Sequence, residues 1–164
     1  MDIKKAKGTS DTTQSDHIER KIIPKNADPT RTHLNRVLVE YPDGVHGRDG
    51  AIAHRLNTAG IRRKITHDQV RVVRVVLSGT HEDMMNIQEK GELDEWCSDS
   101  IQWLQATFGK DNVVAAHLHM DEKTPHIHAA VVPIVTGERR KAKKEQTDGK
   151  RKYRKKTNSV RLCA

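Results

Sequence analysis

The sequence predicts an α+β fold with a largely antiparallel sheet. Residues 70–78, V-R-V-V-R-V-V-L-S, are rich in β-branched residues and predict a strand. A long helical pattern follows, and two further strand patterns, residues 113–119 and 126–134, are separated by a short turn. The order strand, helix, strand, helix and then a close strand pair indicates an antiparallel sheet flanked by helices. The 164 residues fit one domain, and with only 3% aromatic residues its core must be aliphatic.

The first half of the chain supplies the first of these elements. Residues 4–16 are polar and predict a loop, after which Asp16 can cap a short helix, H-I-E-R-K-I, at residues 17–22. Residues 33–40 alternate between polar and apolar side chains and predict a strand that ends at the turn signal Y-P-D-G. A helix is then predicted from residue 51 to about residue 64.

The second half begins with the strand at residues 70–78. A long helix is predicted after this strand, from about Glu82 to Phe108, although Gly91 weakens the helical pattern. The strand pair at residues 113–119 and 126–134 completes the predicted sheet.

The charge of the chain is concentrated in one segment. Residues 138–156 hold eleven lysines and arginines and three acidic residues, which equals the whole net charge of +8. The rest of the chain is neutral, so a dedicated nucleic-acid-binding arm is favoured over a merely solvated tail. We therefore expect a folded core over residues 1–136 and a basic arm with the start of a C-terminal extension over residues 137–164.

Several protein classes are disfavoured by composition. No apolar run approaches the ~20 residues of a membrane span, and the N-terminus has no apolar signal-peptide core. The two cysteines, Cys97 and Cys163, do not form a disulfide framework. A reducing cytoplasm is the expected compartment.

The stretch H-L-H-M-D-E-K-T-P-H-I-H, residues 117–128, concentrates potential metal ligands. His126 and His128 are two residues apart on a strand and therefore share a face. The intervening turn brings His119 across from them, so three imidazoles converge on one point. Such a set predicts a metal site with positions left open for substrate or water.

Three residues near these histidines allow more than one role. Glu122 could orient or deprotonate a nucleophile or act as a fourth ligand, and Asp121 could simply stabilise the turn. His117 shares a face with His119 but lies further from the turn, where it would support the site or be incidental.

The pattern H-x-D-E-x-x-P-H-I-H resembles the metal motif of the Mob/Pre relaxases, the MobV class of His-hydrophobic-His endonucleases that nick plasmid or transposon DNA at a transfer origin. H-I-E-R, residues 17–20, is similar to the first family motif, and R-T-H-L-N-R, residues 31–36, is similar to the second. The resemblance spans residues 17–128. It implies a five-stranded antiparallel sheet flanked by helices, in which residues 1–136 would form the nicking domain.

The resemblance also implies roles for individual residues. His119, His126 and His128 would bind Mn²⁺ or Mg²⁺, and Glu122 would hydrogen-bond the nucleophile or act as its base. His17 would be the nucleophile and Arg20 a phosphate contact. Asn35 would support the site.

The chain departs from the family pattern at both ends. Relatives have a short apolar strand before the lysine-rich loop, where only residues 1–3 remain here, so either that strand is missing or the sheet is smaller. Relatives also continue into helical regions, so we expect an N-terminal fragment of a longer protein.

The expected reaction transfers a DNA phosphoryl group to the His17 imidazole and frees a 3′-hydroxyl. Near a helix N-terminus and a dication, His17 should favour the neutral form that a nucleophile needs, although Glu122 would oppose this. Tyrosine is the alternative nucleophile. Tyr41 looks structural, and Tyr153 in the basic arm better suits base stacking.

The expected partner is single-stranded or hairpin DNA at a transfer origin, together with other mobilisation or conjugation proteins. Residues expected to contact DNA include the second motif, a basic cluster after the second helix and the arm: Arg31, Asn35, Arg36, Arg62, Arg63, Lys64, Arg139, Arg140, Lys150, Arg151, Lys152, Tyr153 and Arg154.

Three other functions stay open at the level of sequence. A metal-dependent nuclease or phosphoesterase would use water as nucleophile. A replication initiator or transposase would share the metal site but needs a differently placed tyrosine. A DNA-binding accessory protein would hold a structural metal, although three histidines and a glutamate without cysteine favour an open site.

Overall fold

A five-stranded antiparallel sheet in the order β1-β3-β5-β4-β2 forms the centre of the computed structural model, which describes residues 1–8, 10–138 and 158–163. The elements in chain order are β1 Asp2–Lys7, α1 Thr12–Ile18, a 3-10 helix Pro29–Leu34, β2 Arg36–Val39, α2 Gly47–Thr58, β3 Val70–Leu77, α3 His81–Glu89, α4 Leu93–Phe108, a 3-10 turn Lys110–Asn112, β4 Val113–His119, β5 His126–Val131, β6 Ile134–Glu138 and β7 Asn158–Leu162. The predicted fold class, including the five-stranded sheet, is confirmed.

The two faces of the sheet are covered by different helices. On one face α4 packs through Leu104 against Leu118 of β4 and Ile127 of β5, all three completely buried. On the other face Ile52 of α2 packs with Ala130 of β5 in a second cluster. Side chains alternate along a strand, so the histidines of β4 and β5 lie on this second face.

The register of β4 and β5 decides where those histidines meet. His117 pairs with His128 and His119 pairs with His126 across the antiparallel ladder. Paired residues in such a ladder are about 4.5–5.5 Å apart. The hairpin between the strands therefore fixes an imidazole cluster at one end of the sheet.

The N-terminal segment differs most from its prediction. Residues 4–16 are not a loop, because β1 pairs with β3 along the sheet edge and α1 follows it. The strand that seemed absent is therefore present. Its lysines suggested a loop, but charged side chains are typical of edge strands, where they discourage pairing with other chains.

Helix α1 also begins earlier than predicted, after Asp11 rather than Asp16. Asp11 is buried and forms ion pairs with Arg48 of α2 and Arg74 of β3. These contacts anchor the start of α1 to two neighbouring elements. The helix then ends at Ile18, and Arg20 adopts a left-handed backbone conformation with φ of 57°.

Three other predicted elements have different boundaries in the structure. The long predicted helix is two helices, because Gly91 with φ of +74° terminates α3. The strand predicted at residues 33–40 starts as a 3-10 helix, and α2 begins at Gly47. The strand predicted at residues 126–134 is divided between β5 and β6.

The C-terminal region contains a two-stranded sheet of β6 and β7. Ile134, Val160 and Leu162 join the cluster under α2, so β6 crosses the boundary predicted after residue 136. The basic run at residues 139–157 lies outside the described residues. None of the helices in the described ranges is long and apolar enough to cross a membrane.

Candidate metal centre and active site

Three imidazoles converge at the β4–β5 hairpin, as the sequence predicts. The ring centroids of His119 and His128 are 4.8 Å apart, and those of His119 and His126 are 5.2 Å apart. One nitrogen from each of the three rings lies within 4.8 Å of the others. Strand alternation and the tight hairpin are sufficient to produce this convergence.

Backbone carbonyls orient two of these rings. His119 Nε2 donates to the Ile18 carbonyl at 2.9 Å, and His126 Nδ1 donates to the Thr124 carbonyl at 2.8 Å. A carbonyl only accepts, so the other nitrogen of each neutral ring keeps its lone pair. Metal-binding histidines are commonly held in this way.

The remaining nitrogens fit a divalent cation. His126 Nε2 and His128 Nε2 are 3.1 Å apart. His119 Nδ1 is the third nitrogen of the group and accepts from Arg20 Nη2 at 3.0 Å, a hydrogen bond that a bound cation would replace. Three neutral nitrogens with a nearby carboxylate suit an intermediate metal ion with positions left for oxygen ligands.

The environment keeps two of these imidazoles neutral. Burial, together with the nearby Arg20 guanidinium, lowers the pKa of His119 to about 4. Burial and the neighbouring His119, His126 and His17 side chains lower the pKa of His128 to about 2. The neutral form is the one that binds metal.

Glu122 lies beside the three histidines. Its Oε1 is 3.9 Å from both His119 Nδ1 and His126 Nε2 and accepts a hydrogen bond from Arg20 Nη2 at 2.8 Å. Its Oε2 accepts from Asn26 at 2.7 Å. The carboxylate is therefore close enough to become a fourth ligand after a small movement.

Asp121 does more than stabilise the turn, which is the role considered from the sequence. Its side chain is fully buried, and its two oxygens accept from Arg20 Nη2 at 2.7 Å and from Arg20 Nε at 2.8 Å. Asn35 and Thr32 also donate to it, at 2.8 and 3.2 Å. These partners hold the pKa of Asp121 well below its usual range against the opposing effect of burial.

Arg20 is enclosed rather than free. Its side chain is only 5% exposed and contacts Asp121, Glu122, the His17 carbonyl and His119 Nδ1. A left-handed backbone at a non-glycine residue costs of order 1–3 kcal/mol and needs support from its surroundings. The phosphate contact assigned to Arg20 stays a prediction.

His17 lies in the last turn of α1, not at a helix start. The helix-dipole argument for a neutral His17 is therefore wrong, because carbonyl groups and not N–H groups face this end of the helix. The imidazole is partly buried. The segment that carries it contacts the hairpin, because the Ile18 carbonyl accepts from His119 Nε2 at 2.9 Å and the His17 carbonyl accepts from Arg20 Nη1 at 3.1 Å. The structure thus brings the first motif to the metal motif.

Tyr41 and His117 form a separate network that the sequence did not predict. The Tyr41 hydroxyl donates to Glu19 Oε1 at 2.8 Å and lies 3.1 Å from His117 Nε2. Burial and the bond to Glu19 raise the pKa of Tyr41 well above its usual value. A hydroxyl held in this way suits a structural role better than a nucleophilic one.

The expected DNA-contacting residues are spread over several surfaces. Both polar atoms of the Asn35 side chain form hydrogen bonds: Nδ2 donates to Asp121, and Oδ1 accepts from the Met120 N–H at 2.7 Å. These contacts fit a supporting role. Arg36 is partly exposed and pairs with Asp94 at 2.6 Å. Arg31 is half-buried in the 3-10 helix.

The other expected contacts are exposed or lie outside the described residues. Arg62, Arg63 and Lys64 are exposed beyond the end of α2. The contacts predicted in the arm fall in the part of the chain that the structure does not describe: Arg139, Arg140, Lys150, Arg151, Lys152, Tyr153 and Arg154.

The lowered histidine pKa values predict a loss of stability in mild acid. As the pH falls from 6.5, the unfolded chain takes up a proton on His119, whereas the folded chain does so only near pH 4. This difference removes up to about 3 kcal/mol of unfolding free energy across that window. Urea unfolding in EDTA at pH 7 and pH 4.5 measures it.

His119→Gln should lose less stability than the wild type between these pH values, whereas the exposed His33→Gln should behave like the wild type. An equal loss in all three proteins would show that the His119 imidazole is not held neutral by the fold.

Sequence comparisons identify relatives of this chain. A family model described as plasmid recombination enzyme, Mob/Pre, matches residues 1–161. Over 141 residues the chain is 30% identical to the plasmid recombination enzyme type 3 of Staphylococcus aureus, covering 83% of this chain and 33% of that protein. A plasmid recombination enzyme of Lactiplantibacillus plantarum is 28% identical over 120 residues, covering 73% of this chain and 33% of that protein. The chain thus spans about a third of the length of these relatives.

A solved structure supports the fold. The MobM relaxase domain, in a Mn-bound crystal structure with plasmid oriT DNA, superposes with a TM-score of 0.69 at 23% identity. The match covers 80% of this chain and 68% of that chain. Because the family model covers nearly the whole sequence, the chain belongs to the Mob/Pre family of plasmid recombination enzymes.

Proposed function

We propose that this chain is a DNA relaxase domain that nicks and rejoins one DNA strand at a transfer origin during mobilisation. The observation that carries the proposal is the junction between the His17–Arg20 segment and the three hairpin histidines. A nucleophile candidate, a buried cation and a metal-ligand set are thereby held together. The implied compartment is the bacterial cytoplasm, where plasmid DNA resides, and other mobilisation proteins are expected partners.

The relatives support this choice of reaction. Those from Staphylococcus aureus and Lactiplantibacillus plantarum are named plasmid recombination enzymes. The MobM relaxase domain was crystallised with Mn and oriT DNA. We extend both properties to this chain as part of the proposal, with Mn²⁺ or Mg²⁺ as the expected ion.

His119, His126 and His128 would hold the ion, with Glu122 near enough to join them. When bound, the ion supplies positive charge that polarises the scissile phosphate. The three neutral imidazoles leave that charge undiminished. The hydrogen bonds from His119 and His126 to backbone carbonyls keep the ligand nitrogens directed toward it.

In the proposed reaction a lone-pair nitrogen of His17 attacks the phosphorus in line with the departing 3′-oxygen. A phosphorus–nitrogen bond forms, the phosphorus–oxygen bond breaks, and the 3′-oxygen acquires a proton from solvent water. The 5′-phosphoryl group stays on the imidazole, so a 3′-hydroxyl can later reverse the step. Glu122 would position His17 or accept its proton, and Arg20 supplies positive charge close to the phosphate.

Two other functions remain as alternatives. A hydrolytic nuclease would use the same metal centre with water as nucleophile and leave no protein on the DNA. An accessory DNA-binding protein would hold the metal without cleavage. The contact between the His17–Arg20 segment and His119 favours the covalent mechanism over both, because it holds a candidate nucleophile next to the metal ligands.

Removing a metal ligand should weaken metal binding. His128→Ala deletes one of the three converging nitrogens, so the affinity for Mn²⁺ should fall by at least about tenfold, the smallest effect expected even for groups that only support a ligand. Calorimetric titration of metal-free protein with MnCl₂ measures the affinity. His33→Ala, which removes an exposed histidine elsewhere, is the matched control. Equal affinity in both variants would place the ion elsewhere.

The covalent step can be trapped directly. The chain should be incubated with Mn²⁺ and a labelled supercoiled plasmid that carries its own mobilisation region, then analysed on a denaturing gel with and without protease. We expect a protease-sensitive DNA–protein adduct that is lost in His17→Ala and kept in His67→Ala, which removes an exposed histidine outside the three motifs.

The other outcomes separate the alternatives. An adduct that persists in His17→Ala would transfer the nucleophile to Tyr41 or Tyr153. Nicked DNA without any adduct would support hydrolysis, and binding without nicking by a chain that binds Mn²⁺ would support the accessory protein.

A further inference from the structure

An open groove of about 340 Å³ lies on the α4 face of the sheet, between α4 and the edge strand β1. Its wall includes Met1 next to β1, Leu77 at the end of β3, and Trp96 and Trp103 of α4. The volume is within the range of roughly 300–1,000 Å³ that is typical of ligand sites. The chain has two tryptophans, and both line this groove.

The groove leaves large apolar side chains in contact with water. Met1 is 71% exposed, Ile3 of β1 is 45% exposed and Trp103 is 44% exposed. Ile3 pairs with Val75, which is buried against α4, so the Ile3 side chain lies on the same face of the sheet. An edge-to-face contact with Phe108, at 6.4 Å between ring centroids, orients the Trp103 indole. An oriented, half-exposed indole among other apolar side chains is typical of a surface that binds a protein partner.

The helices on this face are acidic, whereas the rest of the chain is basic. Residues 81–108, which contain α3, α4 and their connection, hold seven acidic residues and one lysine, a net charge of −6. The remaining residues therefore carry +14, because the whole chain carries +8. A surface of this sign repels DNA phosphates and attracts cationic partners.

The acidic charge extends along α4 to the groove. Glu95, Asp99 and Trp103 follow one another at intervals of four residues and therefore lie along one side of the helix. All three side chains are exposed, and Asp99 is part of the groove wall. Asp94 pairs with Arg36, whereas Glu95 and Asp99 have no ion pair among the residues that the structure describes. Like charges at this spacing repel each other, and a cationic group bound beside them would relieve the repulsion.

The groove and the metal centre lie back to back at one end of the sheet. Val76 of β3 pairs with His128 of β5, so these two side chains share the face that bears the metal centre. Leu77, the next residue of β3, faces the groove instead. A partner seated in the groove would therefore leave the metal centre open.

We propose that this groove docks a basic segment of a partner protein, which inserts one large apolar side chain beside Trp96 and Trp103. Lysine or arginine side chains next to that anchor pair with Glu95 and Asp99, so the acidic stripe selects a cationic partner. The docked partner is held close to the metal centre without covering it. This inference goes beyond the proposed cleavage reaction and does not depend on it.

Three synthetic peptides without tryptophan test this recognition chemistry. The first is lysine-rich with a central leucine, the second has serine in place of the leucine, and the third has glutamate in place of each lysine. Binding is followed by the indole N–H signals of Trp96 and Trp103 in nuclear magnetic resonance spectra of the labelled wild-type chain. The lysine–leucine peptide should shift both signals and bind at least about tenfold more tightly than either of the others. Equal binding by the serine or the glutamate peptide, or unchanged indole signals, would overturn the proposal.

A first pair of variants tests the apolar anchor. Trp103→Ala removes the exposed indole and should weaken binding of the lysine–leucine peptide by at least about tenfold, measured on the remaining Trp96 signal. Leu34→Ala removes a similarly exposed apolar side chain outside the groove and should bind like the wild type. Unchanged binding by a folded Trp103→Ala variant would contradict the proposed anchor site.

A second pair tests the charge. Glu95→Lys reverses one charge of the stripe and should weaken binding of the same peptide by about threefold to tenfold. Glu40→Lys makes the same change on an exposed residue after β2, at the opposite edge of the sheet, and should have no such effect. Equal weakening in the two variants would show that net charge alone attracts the peptide, against the proposal.

Other occupants of the groove would give different results. A single-stranded oligonucleotide that shifts both indole signals would assign the groove to DNA and overturn the proposal. Indole shifts that follow the protein concentration without any peptide would overturn it in favour of a second copy of the chain. None of these measurements uses nicking, so their outcome is separate from that of the relaxase reaction.

Discussion

The ion pair between Arg20 and Asp121 joins two segments that are 101 residues apart in sequence, and the rest of the site depends on it. Both side chains are almost entirely removed from water, so each charge is costly without the other. The pair holds the chain after α1 against the β4–β5 hairpin. As a result, the Ile18 carbonyl reaches His119, and the preceding residue, His17, is held next to the hairpin.

The contacts of the Arg20 side chain also support its backbone conformation. Arg20 keeps a left-handed conformation that unsupported arginine rarely adopts, and its guanidinium binds two carboxylates, a carbonyl and an imidazole nitrogen. At the other end of α1, Asp11 is ion-paired with Arg48 and Arg74. Anchors at both ends leave His17 little freedom to move, which favours a reaction that needs in-line geometry.

Local patterns predicted the convergence of His119, His126 and His128, because strand alternation and a short hairpin suffice to bring the three side chains together. Strand and helix patterns likewise predicted the fold class, and three short motifs predicted the family. They failed where long-range contacts decide the structure: β1 depends on its pairing with β3, and the parts played by Asp121 and Tyr41 arise from residues distant in sequence. Only the tertiary structure reveals such partners.

A double-mutant cycle on unfolding free energy tests the coupling between Arg20 and Asp121 most directly. Arg20→Gln, Asp121→Asn and the double variant should give a coupling energy of about 2 kcal/mol or more. Arg20→Gln leaves the buried Asp121 carboxylate without its cation, and Asp121→Asn leaves Arg20 with the Glu122 carboxylate alone of its two acidic partners. The exposed Arg36–Asp94 pair, changed in the same way, should give less than about 1 kcal/mol. Additive effects of the Arg20 and Asp121 changes would contradict the view that this pair holds the site together.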